Sequence, residues 1–136
     1  MRRIIASLGI AFTLSFGATL EEATIAYNKG DYQTTKTIFE DLASKGDATA
    51  QHNLGVMYDF GKGVKQDYFK AKEWYEKAAN QGHASAQYNL GVMYDFGKGV
   101  KQDYFKAKEW YEKAANQGHA SAQNNLGTMY ELGKGV

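Results

Sequence analysis

The chain of 136 residues is long enough for one domain, and its apolar and charged fractions (43% and 23%) are those of an ordinary soluble protein. Cysteine is absent, which excludes disulfides, thiolate catalysis and cysteine-ligated zinc. The formal net charge is +1 and falls to −1 once Arg2 and Arg3 are removed, which argues against a nucleic-acid partner because phosphate contacts need a concentrated basic face.

The amino terminus has the features of an export signal. Arg2 and Arg3 form a basic start, and residues 4–16 are apolar except for small or hydroxyl side chains. The alternative is an uncleaved anchor or a helix on the lipid surface. A helix of this length would reach only about 20 Å, whereas the hydrocarbon core of a bilayer is about 30 Å thick. We therefore expect residues 1–17 to be a cleaved signal peptide and the protein to be periplasmic or secreted.

The expected cleavage site lies before Ala18. Small side chains at Ser15 and Gly17 stand three and one positions before that point, as signal peptidases require. The mature chain is then expected to begin at Ala18 or Thr19.

Residues 18–45 have the pattern of a helical hairpin with a short loop. The sequence Thr19-Leu20-Glu21-Glu22 is a capping box, which predicts a helix start, and Gly30-Asp31 predicts the turn. The second helix carries an apolar stripe consisting of Ile38, Phe39 and Leu42.

The rest of the chain repeats with a period of 36 residues. The stretch from Asn53 to Gln81 recurs unchanged from Asn89 to Gln117, and a third copy starts at Asn125. Such a period indicates stacked repeats that bury a shared core. We divide this part into repeats 46–81 and 82–117 and an incomplete repeat 118–136, which has only its first helix.

Each full repeat is predicted to contain two helices, A and B, joined by a glycine loop. In the second copy, helix A spans about residues 84–96, the loop Gly97-Lys98-Gly99-Val100 ends it, and Asp103 caps helix B, which continues to about Asn116. Gly91 in the middle of helix A costs about 1 kcal/mol relative to alanine, so we expect helix B to approach closely there.

Two further expectations concern helix B. Trp74, Trp110 and the tyrosines that follow them, Tyr75 and Tyr111, recur at packing positions and are expected to lie in the core. Glu109 and Lys113 are expected to form an i,i+4 ion pair on the exposed side.

The recurring pattern A-x-A-Q-x-N-L-G-x-M-Y-x-x-G-K-G-V-x-x-D-x-x-K-A-x-x-W-Y-x-K-A-A resembles the Sel1-like repeat, a relative of the tetratricopeptide repeat. The resemblance covers residues 46–136, and residues 19–45 are similar to a tetratricopeptide hairpin. It implies an all-α, right-handed superhelical solenoid that acts as an adaptor for protein complexes. Bacterial members of this family are often exported.

The positions at which the copies differ fall on one face of helix A. Apart from position 47 in a turn, they are 49, 52, 56, 59 and 60 in the first full copy, a spacing that places them together and outside the apolar stripe. On the tetratricopeptide plan this face lines the concave groove. The alternative is neutral drift on a solvated face. The expected partner-binding residues are His52, Asp59, Phe60, Tyr88, Asp95, Phe96 and Asn124.

No catalytic, metal or cofactor site is predicted. Some family members have been described as penicillin-binding or β-lactamase-like, but no serine here has a lysine three residues later, as that chemistry needs. His83 and His119 lie one repeat apart, too far for one metal ion. Gly61-Lys62-Gly63 lacks the remaining residues of a phosphate loop.

The sequence therefore predicts an exported, non-enzymatic scaffold that binds a protein or peptide of the cell envelope. The alternatives are a cell-wall glycan or peptidoglycan binder, a β-lactamase-like envelope protein, or a truncated remnant without a ligand. The last helix is expected to pack Leu126 and Tyr130 against the preceding helix B. Because no helix B follows it, we expect self-association through that end.

Overall fold

The computed structural model describes residues 17–136, and the secondary structure in that range is entirely α-helical. The helices are α1 (Leu20–Asn28), α2 (Tyr32–Ser44), α3 (Ala48–Phe60), α4 (Tyr68–Asn80), α5 (Ala84–Phe96), α6 (Tyr104–Asn116) and α7 (Ala120–Leu132). Each helix packs against the next along the chain, so α1, α3, α5 and α7 are helices A, and α2, α4 and α6 are helices B. The predicted all-α solenoid of helix pairs is confirmed. Apart from Gly17, the proposed signal peptide lies outside the described residues.

The helix ends follow the local signals in the sequence. Thr19 Oγ1 accepts a hydrogen bond from Glu22 N at 3.2 Å, which caps α1. Asp103 Oδ1 caps α6 by accepting from Phe105 N and Lys106 N at 3.0 and 3.1 Å. Helix α5 ends at Gly97, whose φ of 68° is a left-handed conformation that glycine adopts without steric cost. None of the helices in residues 17–136 is long and apolar enough to cross a bilayer.

The two helices of a repeat meet where a glycine of helix A faces a tyrosine of helix B. A Cβ atom added to Gly55 would lie 2.7 Å from Cδ1 of Tyr75, and one added to Gly91 would lie 2.5 Å from Cδ1 of Tyr111. Both tyrosines are fully buried. The expected close approach at Gly91 is therefore confirmed, and the same contact occurs in both full repeats.

The tryptophans were expected in the core, but Trp74 and Trp110 are only half-buried. Tyr75 and Tyr111, one position later, are fully buried in the core, as expected, because they point at the glycines. Each tryptophan packs on the edge of the core with a lysine above its ring, Lys113 Nζ lying 4.4 Å from the centre of Trp110.

The prediction of an ion pair between Glu109 and Lys113 was also wrong. Lys113 lies over Trp110, and the pair on this helix is formed by Lys108 and Glu112, with 3.3 Å between Nζ and Oε1. The indole ring of Trp110, at i,i+3 from Lys113, competes with Glu109, at i,i+4, for the same ammonium group.

Neighbouring repeats are joined by a buried glutamine. Gln51 Nε2 donates to the carbonyl of Ala43 in the preceding helix B at 3.2 Å, and its Oε1 accepts from Gln81 Nε2 at 2.8 Å. Gln87 makes the equivalent bonds one repeat later. These hydrogen bonds hold neighbouring repeats in one arrangement, because a shift that left the buried amide without partners would cost roughly 1–3 kcal/mol.

We predict opposite effects for the same substitution at two equivalent glycines. Gly91→Ala should destabilise the fold by about 2 kcal/mol because the new methyl group would overlap the ring of Tyr111. Gly127→Ala should stabilise it by up to about 1 kcal/mol, since within the described residues nothing lies within 4 Å of the added Cβ. Urea unfolding of both variants measures the two changes, and a shift of the same sign in both would contradict the glycine–tyrosine contact.

Candidate binding surface

The helix A face is the surface formed by the predicted binding residues on α3, α5 and α7. Its most exposed members in the full repeats are Phe60 and Phe96, which are 66% and 65% accessible at the ends of α3 and α5. The two phenylalanines occupy the same position of successive repeats. Asn124, on α7, is exposed as well.

His52 is half-buried. Its ring stacks on that of His83, the N-cap of the next helix A, with 4.7 Å between ring centres and 25° between planes. Its Nδ1 lies 3.1 Å from Asn53 Oδ1, and its Nε2 lies 3.0 Å from Asn89 Nδ2. His52 is therefore part of the junction between two repeats.

Tyr88 plays the same part at the next junction. Its ring stacks on His119, with 4.8 Å between centres and 21° between planes. His83 and His119 cap α5 and α7, each Nδ1 accepting from the amide three residues later. The two full copies differ at three positions. At two of these, Asp47/His83 and His52/Tyr88, the difference involves residues that form the stacked rings between repeats.

Asp59 and Asp95 are half-buried rather than free on the surface. Asp59 Oδ2 accepts a hydrogen bond from the hydroxyl of Tyr75 at 3.0 Å, and Asp95 Oδ2 accepts from Tyr111 at 3.1 Å. Burial raises the pKa of both tyrosines, and the neighbouring aspartate raises it further. These aspartates therefore support the core, which the sequence pattern alone did not indicate.

Two cavities lie between successive helices A on this face. One of about 190 Å³ separates α1 from α3 and is lined by Thr24, Tyr27, Phe39, Asn53, Val56, Met57 and Lys62. The other, of about 150 Å³, separates α5 from α7 and is lined by Asp95, Phe96, Asn125, Thr128, Met129, Leu132 and Lys134. The asparagine, methionine and lysine positions are equivalent in the two, so each cavity has the size and polarity to take one side chain of a ligand.

The histidines do not come together as a metal site. The rings of His52 and His83 are stacked on each other, and the ring nitrogens of His52 lie against two asparagines. Within residues 17–136, no three or more His, Cys, Asp or Glu side chains are grouped so as to hold a metal ion.

The fold defines a helical-repeat protein whose helices A present a regularly spaced face. The Sel1 repeat model matches residues 48–83, 84–119 and 120–136, which is more than half of the chain. The chain belongs to the Sel1 repeat family, whose members generally mediate protein–protein interaction. Among proteins with curated descriptions, none matches this sequence.

Solved structures of the same fold support this assignment. A Sel1 repeat protein from Oxalobacter formigenes is 35% identical with a TM-score of 0.83, over 87% of this chain and 49% of its own. The protein c5321, a protective antigen present in uropathogenic Escherichia coli strains, is 43% identical with a TM-score of 0.79, over 82% of this chain and 25% of its own. Cysteine-rich protein B of Helicobacter pylori shares the fold, with 23% identity, a TM-score of 0.67 and coverage of 81% and 99%. The chain therefore spans about half the length of the first relative and a quarter of the second.

The junction at His52 makes stability depend on pH. Burial, together with the neighbouring His83, lowers the pKa of His52 to about 4 from an ordinary value of 6.5. At pH values between these two pKa values, His52 is protonated in the unfolded chain but not in the folded chain. The full stability is therefore present above pH 6.5 and decreases as the pH falls towards 4.

We predict that His52→Tyr removes most of this dependence. The next repeat already has tyrosine at the equivalent position against the same histidine cap, so the variant should fold normally at neutral pH. The wild-type protein should lose about 3 kcal/mol of unfolding free energy through His52 between neutral pH and pH 4. The variant should lose correspondingly less, although His83, whose pKa burial also lowers, still titrates. Urea unfolding across this range measures the loss, and equal slopes for the two proteins would contradict the role of His52.

Proposed function

We propose that this protein is a non-enzymatic scaffold that binds a segment of another protein along its helix A face. The observation that carries the proposal is the pair of exposed phenylalanines, Phe60 and Phe96, at the same position of successive repeats. Aromatic side chains that become fully desolvated on binding are the usual centres of binding energy at protein interfaces. The interaction role of the Sel1 repeat family agrees with this reading.

The cavities on the same face supply the complementary features. Phe96 lines the cavity between α5 and α7, where Lys134 and Asn125 place polar groups beside an apolar floor formed by Met129. A side chain entering this cavity would contact Phe96 at once. An extended segment crossing the repeats could insert one side chain at each such cavity and use the phenylalanines as apolar contacts between them.

His52, Tyr88, Asp59 and Asp95 have a second role in this proposal. Since they hold the repeats and the core together, they orient the surface more than they contact the ligand. Substituting them would disturb folding and binding at once. The phenylalanines are therefore the sharper test.

We further propose that the protein acts in the cell envelope after export. The basic and apolar start of the chain supports this, and Ala18, the expected first mature residue, is already buried in the core at 2% accessibility. The relative c5321 is described as a protective antigen, which is in keeping with an exported protein.

The binding surface can be located by comparing two double alanine variants. The double variant Phe60→Ala/Phe96→Ala should lose the partner that the wild-type chain captures from its own envelope fraction, because each anchor can contribute about 2 kcal/mol or more. Lys77→Ala/Lys113→Ala truncates two exposed side chains on the helices B, over Trp74 and Trp110, and should leave capture unchanged. The amount of partner recovered is measured for both double variants. Loss with the second pair only would overturn the helix A face as the site, and recovery of glycan without protein would favour a cell-wall binder.

The export proposal predicts a mature chain that begins at Ala18 or Thr19. Intact-mass spectrometry of protein isolated from the envelope fraction determines the first residue. A chain there that still carries Met1 would show that the segment is retained as an anchor.

A further inference from the structure

A second surface lies at the edge where the loops join helix A to helix B. We call it the loop edge, and it consists of two clefts related by the 36-residue repeat. The first, of about 620 Å³, is lined by Lys36, Tyr58, Val64, Lys65, Gln66, Asp67, Tyr68, Phe69, Lys70 and Gly99. The second, of about 680 Å³, is lined by Lys72, Tyr94, Gly99, Val100, Lys101, Gln102, Asp103, Tyr104, Phe105 and Lys106. The clefts share Gly99 and therefore adjoin.

The loop edge is positively charged although the protein as a whole is nearly neutral. Each cleft contains one aspartate and three lysines, one of which forms an ion pair with a glutamate of its own helix. The aspartate of the first cleft, Asp67, is already occupied, since its Oδ1 caps α4 by accepting from Phe69 N and Lys70 N. In the described part of the chain, the ion pairs do not include Lys65 or Lys101, both of which are exposed.

Aromatic rings stand among these lysines. Phe69 and Phe105 are 71% and 69% accessible, more than the phenylalanines of the helix A face. Lys70 Nζ lies 5.3 Å from the ring centre of Tyr58, and Lys106 repeats this contact with Tyr94 at 5.4 Å. These contacts hold the ammonium groups along the edge and reduce the entropy lost when they bind an anion.

We propose that the loop edge binds an extended acidic segment of a protein, with carboxylates on the lysines and apolar side chains on Phe69 and Phe105. Opposite charge accounts for the lysines, and the exposed rings require an apolar partner that a bare polyanion lacks. Arginine, which nucleic-acid surfaces favour for bidentate phosphate contacts, is absent from residues 17–136. An acidic peptide therefore fits the loop edge better than a nucleic acid does. This surface is separate from the helix A face and does not depend on it.

The test uses a fluorescent peptide in which glutamate alternates with leucine and phenylalanine, long enough to span both clefts. Fluorescence anisotropy with the full chain should show binding that weakens as salt is raised. Lys65→Gln/Lys101→Gln should weaken it about tenfold, because each exposed ion pair contributes up to about 1 kcal/mol. Phe69→Ala/Phe105→Ala should weaken it as well.

The matched control is Lys77→Gln/Lys113→Gln, which removes the same charge from equivalent positions over Trp74 and Trp110. Binding of this variant should change less than about twofold. Phe60→Ala/Phe96→Ala should also bind the peptide normally, which separates this proposal from the helix A face. Equal losses in the two lysine variants, no binding of the peptide, or tighter binding of a single-stranded oligonucleotide of the same length would each overturn the proposal.

Discussion

The contact between a glycine of helix A and a tyrosine of helix B holds each repeat together. Without a side chain at Gly55 or Gly91, the tyrosine ring reaches the backbone of helix A and is completely buried. The hydroxyl of the same tyrosine then donates to an aspartate near the end of helix A. One residue thus sets both the distance between the helices and the position of a carboxylate on the helix A face, so the core and the candidate binding surface depend on the same contact.

The junctions between repeats explain differences that look like drift in the sequence. A ring on one helix A stacks on a histidine that caps the next, first as His52 on His83 and then as Tyr88 on His119. Where the preceding helix offers no such ring, the cap is Asp47. Substitutions at these positions therefore change how repeats adhere as well as what the surface presents, and a histidine at the junction adds sensitivity to acid.

Exposed phenylalanines divide the molecule into two surfaces with different chemistry. Phe96 lines a small cavity between helices A, where a single side chain can enter, and Phe60 is exposed at the equivalent position of the preceding repeat. Phe69 and Phe105 stand among lysines in wider clefts at the loops. Because both pairs recur with the repeat, each surface is extended along the stack, and such surfaces suit an elongated ligand better than a compact substrate.

The sequence by itself determined the helices, their caps and the period, because these depend on contacts within a few residues. The predicted range of helix A, the caps at Thr19 and Asp103, the glycine stops and the close approach at Gly91 all agree with the structure. Only the tertiary structure decided which residue of an aromatic pair is fully buried in the core. It also decided which surface residues form contacts between repeats. Trp74 and Tyr75 are adjacent and similar in size, and the choice between them depends on a glycine in another helix. His52 meets His83 and Asn89 across more than thirty positions, a distance over which periodicity shows that repeats stack but gives no information on how their side chains interlock.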